Sequence, residues 1–148
     1  MATFTIRLDP PLTAPEAWRR ILDLHGHTAV IPLTTVTGAA MTADALVEGS
    51  RFVARTGVGP LAFDDVMVVD EITQPSVDGP GRARIRKEGK VVRGSIDVAV
   101  MPQASGSRVE WSQQIGVRGV PRVLDPVVAQ VARLAYGTAL KRLLARRG

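Results

Sequence analysis

The sequence predicts an α+β fold, in which a curved antiparallel sheet of about seven strands wraps on a long C-terminal helix, with two short helices after the first strand. Three observations carry this expectation. Pro121 to Arg147 reads as one long helix with an apolar stripe. Most of the chain before it consists of short β-branched runs separated by glycine, proline and serine. The 148 residues are 45% hydrophobic and 22% charged, the balance of one globular domain spanning residues 1–148.

The elements follow in order. Phe4, Ile6 and Leu8 alternate with Thr5 and Arg7, a half-buried strand that Asp9-Pro10-Pro11 stops. Thr13 to Glu16 has capping-box spacing, in which threonine and glutamate satisfy orphan N–H groups reciprocally. The helix it starts carries Trp18, Ile21 and Leu22 inward and Arg19, Arg20 and Asp23 outward. His25-Gly26-His27 is expected to break it, with a further helical turn over Thr28 to Ile31 before Pro32. Thr34 to Met41 reads as a strand, Thr42 to Gly49 as either a turn or its continuation, and Ser50 to Thr56 as a second strand.

Gly57-Val58-Gly59-Pro60 is a loop. Ala62 to Thr73 is a long strand, apolar on both faces at Val66 to Val69, which predicts cover on both sides or a barrel-like bend. Gln74 to Gly81 is a loop. Arg82 to Lys87 and Val91 to Met101 flank the tight connection Glu88-Gly89-Lys90. Arg108 to Val117 is the last strand, with Val109, Trp111, Gln113 and Ile115 on one face.

The terminal helix sets Leu124, Val127, Val128, Val131, Leu134 and Ala135 on one stripe, with Arg122, Arg133 and Arg146 off it. Pro121 suits a first helical turn. Asp125 early and Lys141, Arg142, Arg146 and Arg147 late complement the macrodipole. A helix of this length spans about 35–40 Å, enough to cross the sheet, and a cavity is expected between the two.

Composition excludes several classes. With no cysteine there are no disulfides, thiolate metal sites or cysteine nucleophiles. No apolar run approaches a membrane span, and Met1 to Phe4 shows no secretory pattern, so the expected compartment is the cytoplasm. The net charge of +5 raises an acidic partner. Arg82, Arg84 and Arg86 alternate on one strand face, either an anion-binding stripe or a solvated outer surface. At 4% aromatics, few rings are present to stack bases, so nucleic acid is not expected. No cofactor is implied, and the sequence carries no mark of oligomeric state.

The order of elements and several local sequences together resemble a known superfamily. Ala14-Pro15-Glu16-Ala17-Trp18 after the opening strand, Gly49-Ser50-Arg51-Phe52, the hairpin strands leading to Trp111 and the terminal amphipathic helix are its marks. Over essentially its whole length the chain is similar to the START-like, birch-pollen-allergen-like (SRPBCC) proteins, which include polyketide cyclases/dehydrases. The resemblance implies a helix-grip fold. It also implies an apolar ligand, such as a lipid, hormone or polyketide, held between sheet and helix, and in some members cyclised or hydrolysed there.

Candidate site residues follow from this geometry. Phe52, Phe63, Met67 and Trp111 from the sheet, with Val127, Val131 and Leu134 from the helix, would line the interior space either as core or as a pocket. Thr56, Gln113 and Thr138 are polar residues on otherwise apolar faces, although Thr138 is also placed to bond its own helix backbone. Adjacent strand residues point oppositely, so at most one of Asp64 and Asp65 enters the cavity; an inward Asp65 would be the acid/base candidate, with a raised pKa.

His25 and His27 are too few for a metal site without a distant third ligand, and no metal is expected. Gly57 to Pro60 lacks the lysine and following helix of a phosphate-binding loop and reads as a connection at the cavity rim. With no convergent catalytic set, the expected function is binding or transport of a small hydrophobic ligand. The alternative is a cyclase, dehydratase or hydrolase acting on one, and a third possibility is an interaction module with a solid interior.

Overall fold

The fold is that of a computed structural model describing residues 1–76 and 78–146; Arg147, placed at the end of the expected terminal helix, lies outside the described residues. Strands β1 (Ala2–Leu8), β2 (Thr34–Gly38), β3 (Arg51–Thr56), β4 (Phe63–Thr73), β5 (Gly81–Glu88), β6 (Val92–Gln103) and β7 (Gly106–Val117) form one sheet. Its order is β1-β7-β6-β5-β4-β3-β2, antiparallel at every step. β1 and β2 are the two open edges. Helices α1 (Ala14–Ile21) and α2 (Leu24–Val30) connect them, and α3 (Asp125–Ala145) lies across the concave face.

Side-chain alternation decides which face is concave. In β5, Ala83, Ile85 and Lys87 are buried while Arg82, Arg84 and Arg86 face solvent. The outer arginines have carboxylate neighbours: Arg84 Nε lies 3.0 Å from Asp97, and Arg86 Nη1 lies 2.8 Å from Asp70. The expected stripe is therefore a mixed-charge surface. In β4 a register shift interrupts the pairing with β5 between Val69 and Glu71; Met67 and Val69 are buried inward, and Val66 and Val68 half-buried outward. At Gly94 φ is +141°, and a Cβ would lie 1.9 Å from the Gln114 carbonyl oxygen, so only glycine permits this approach of β6 to β7.

Three local expectations are corrected. Thr13 Oγ1 accepts from the Glu16 N–H at 3.3 Å, but Glu16 does not complete a capping box. Its carboxylate is held instead by Arg19 and Arg20, which keep its pKa below the ordinary value. The first helix breaks earlier than expected, at Leu22-Asp23, and His25-Gly26-His27 sits inside α2. Glycine is useful there, because a Cβ on Gly26 would approach Leu143 of α3 to 2.8 Å. Pro121 is extended and precedes a single 3₁₀ turn (Arg122–Leu124), and Pro126 occupies the first turn of α3.

One core runs along the inner face of the sheet and up to the helices. Trp18 and Ile21 of α1 pack with Leu140 and Leu143 of α3 and are almost completely buried. Trp18 Nε1 donates to Gln74 Oε1 at 2.7 Å, and Gln74 Nε2 donates to the Ala43 carbonyl at 3.0 Å, tying helix, β4–β5 loop and the turns after β2 together. The stretch from Thr42 to Gly49 is thus turn, not strand, and buries Ala43 and Leu46. Arg20 Nη1 donates to the Leu144 carbonyl at 2.6 Å, satisfying an end of α3.

Candidate functional site

The C-terminal half of α3 is the more deeply seated, while Val128, Ala129 and Ala132 of the first half are half-buried against the core. Ala139, Leu140, Leu143 and Leu144 are buried, whereas Val127 and Val131 are 58% and 61% exposed. The apolar stripe read from the sequence exists, but over its first half it faces space. Val128, Ala132, Ala135 and Ala139 look onto the concave sheet, and their small side chains leave space beneath the helix unfilled. A cavity of about 660 Å³ results, within the range of small-molecule sites.

The structure brings most of the expected residues to the wall of this cavity. Phe52, Met67 and Trp111 form its floor, Thr56 and Phe63 stand at the β3–β4 end, and Val127 and Val131 line the helix side. Thr56 Oγ1 donates to Thr34 Oγ1 at 2.9 Å, and Thr34 in turn donates to the Pro32 carbonyl at 3.2 Å. The Gly57 to Pro60 segment joins Thr56 to Phe63 and therefore sits at the rim, with Gly57 at φ +123°.

Three expectations fail. Leu134 is 62% exposed and is not part of the wall, although it points within about 20° of Val127, which is; it stands one heptad farther along α3. Thr138 is exposed on the outer side of α3. Gln113 points inward but is not part of the wall. Its Oε1 accepts from Trp111 Nε1 at 3.0 Å, and its buried Nε2 has no partner among the described residues.

Asp65 is the carboxylate that turns inward; Asp64 stays exposed near Arg55. Asp65 is 7% exposed, lines the cavity and accepts a hydrogen bond from Lys87 Nζ through Oδ2. Lys87 also donates to Tyr136 Oη at 3.2 Å. Asp65, the expected inward acid/base candidate, is thus one partner of a buried ion pair. Burial is the largest influence on Lys87 and opposes its charge. Tyr136 and Asp65 together outweigh it, and the ammonium's pKa lies above its ordinary value. Asp65 Oδ1 is buried without a hydrogen-bond partner among the described residues.

Lys87 and Tyr136 were missed in the sequence. The signal was parity: if Arg82, Arg84 and Arg86 face outward, Lys87 is on the inner face with Ala83 and Ile85. Tyr136 is the single tyrosine, and its ring tilts against Phe4 and Trp111 at 5.8 and 5.7 Å between centroids. His27 also reaches the wall. Its Nε2 donates to the Ile21 carbonyl at 2.8 Å, and burial pushes its pKa down. Among the described residues no three metal-ligating side chains gather, and no helix is long and apolar enough to cross a membrane.

No protein-family model and no curated protein matches the sequence. Solved structures do match. A START superfamily protein from Mycobacterium smegmatis has 12% identity and a TM-score of 0.70, covering 99% of this chain and 97% of its own. The Zhui aromatase/cyclase from Streptomyces sp. R1128 has 11% identity and a TM-score of 0.66, with coverages of 96% and 90%. Ara h 8.0201 has 12% identity and a TM-score of 0.68, with coverages of 97% and 98%. Identities this low speak to architecture alone, and the architecture shared from end to end is the START-like, birch-pollen-allergen-like (SRPBCC) helix-grip fold.

Proposed function

We propose that this protein binds and carries a small, largely apolar molecule in the cavity between the sheet and α3, with the cytoplasm as its compartment. The observation that supports the reading is the cavity itself: about 660 Å³ of space walled by aliphatic and aromatic side chains. An interaction module with a solid interior would have no use for such a space. A cyclase, dehydratase or hydrolase is the second reading, favoured by the buried Asp65 carboxylate on the same wall.

Native mass spectrometry of freshly purified protein, followed by denaturing extraction, tests the proposal. The expected result is a discrete added mass that leaves on denaturation. Val131→Arg should abolish it by placing a charge at the wall while, at a position already 61% exposed, leaving thermal stability nearly unchanged. If folded native protein takes up no apolar molecule of any class, the carrier reading is wrong. Incubation with the recovered molecule separates the two readings: a carrier returns it unchanged, an enzyme returns a product.

A further inference from the structure

Three residues that line the cavity are also open to solvent, and they mark its mouth: Phe63 at the start of β4, and Val127 and Val131 on α3. Apolar side chains continue outward from there. Leu61, in the loop before Phe63, is 85% exposed, and Val58 in the same loop is more than half exposed. Leu33 stands beside that loop, since its carbonyl accepts from the Gly57 N–H at 3.0 Å, and it too projects into solvent. Its φ of +58° is costly for a leucine, and no burial of the side chain offsets that cost. Single exposed aliphatics are ordinary on a protein surface, whereas a group gathered on one rim marks a contact surface.

Charge at this end of the sheet is one-sided. A Cβ on Gly89 would lie 2.9 Å from the Asp64 carbonyl oxygen, so the β5–β6 turn abuts the start of β4. The Arg118 N–H donates to the Val91 carbonyl at 2.8 Å, which ties the end of β7 to the same turn. Lys90, Arg118 and, in the 3₁₀ turn that follows, Arg122 therefore belong to this end. Its carboxylates are already engaged: Asp64 with Arg55, Glu88 with Arg51 and Arg86, and Asp125 with the Met1 amino group. Lys90, Arg118 and Arg122 are exposed and pair with no carboxylate among the described residues.

Aliphatic tips beside uncompensated cations complement an anionic lipid surface, where the tips enter the acyl boundary and the cations meet headgroup phosphates. We propose that the mouth end docks on an anionic bilayer, with Leu33, Val58 and Leu61 in the interface and Lys90, Arg118 and Arg122 on the headgroups. Docked in this way, the cavity opens onto the acyl layer, and an apolar molecule passes between the two without crossing water. The docking itself does not depend on what the cavity holds.

Co-sedimentation of the full chain with vesicles tests the proposal, using phosphatidylcholine alone and an equimolar mixture with phosphatidylglycerol. Binding to the mixed vesicles is expected to be roughly tenfold or more tighter than to the neutral ones, and to weaken as salt is raised. Leu61→Asp, at a position with little packing to lose, should abolish it with the melting temperature unchanged. Arg118→Gln together with Arg122→Gln should cost roughly tenfold or more, since each cation near an anionic leaflet is worth about fivefold. Arg82→Gln removes an exposed charge from the convex face instead and should leave binding unchanged. No binding of the native protein to mixed vesicles would overturn the docking, as would a loss on Arg82→Gln equal to that on Arg118→Gln alone. Either result leaves the carrier reading standing, because an added mass in native mass spectrometry needs no membrane. Protein that binds the mixed vesicles but takes up no apolar molecule would uphold the docking and remove the carrier.

Discussion

Lys87 has a side chain with no exposure to solvent, and its charge is tolerable only because Asp65 and Tyr136 are beside it. Removing one partner leaves the other charge buried alone, whereas removing both removes the penalty. Lys87→Met should therefore destabilise the protein by about 3–5 kcal/mol, and Asp65→Val with Lys87→Met by much less than the sum of the single changes. Denaturant unfolding of the three variants reads this coupling, and simple additivity would contradict the pairing. His27 gives a second residue-scale expectation. Burial, assisted by Lys87 and opposed by the Ile21 carbonyl and Asp23, holds its pKa below the ordinary 6.5. Above pH 6.5 both folded and unfolded chains carry neutral His27, so the group imposes no penalty. As pH falls below that value the unfolded chain takes up the proton first, and stability is lost until the folded pKa is passed. Melting temperature should drop between pH 7.5 and pH 5, and His27→Gln should flatten that drop.

At the scale of elements, α3 is two half-helices in different surroundings. Its C-terminal half packs on α1 and α2 through Leu140 and Leu143, and Arg20 caps its end. Its N-terminal half stands over a cavity, with Val127, Val131 and Leu134 all more than half exposed. Helical stability in proteins comes mostly from packing of the apolar face, so the two halves should open with different free energies. Hydrogen exchange is expected to be roughly tenfold or more faster for amides of the first half than of the second. A ligand that fills the cavity should slow the first half selectively. Uniform protection along α3 without ligand would show that the helix is seated along its whole length.

At the scale of the molecule, the sheet stays open because β1 and β2 do not pair, and the chain closes the gap with α1 and α2. An open, curved sheet has a concave side too deep for one helix with alanines at Ala132, Ala135 and Ala139 to fill. The net charge of +5 does not gather on β5, where acidic side chains from β4 and β6 accompany Arg84 and Arg86. Exposed pairs of this kind contribute little to stability, and their effect here is to keep the convex face from presenting a single sign of charge.

The sequence by itself determined the order of elements, the inward and outward faces of the strands and the position of the terminal helix. Each depends on local periodicity: two for Ile96, Val98 and Val100, and 3.6 for the stripe of α3. It also pointed to part of the cavity wall, because Phe52, Met67 and Trp111 sit on inward faces by parity. The tertiary structure decided whether that apolar stripe was buried or left facing a cavity, since this depends on where α3 is anchored and how far the sheet curves. It decided, too, that Leu134 falls outside the wall and that His25-Gly26-His27 lies within α2, where Leu143, 117 residues away, leaves no room for a side chain at Gly26. The Asp65–Lys87–Tyr136 cluster joins β4, β5 and α3 and has no local signature. Charges so far apart in sequence meet only once the sheet is paired and the helix laid across it.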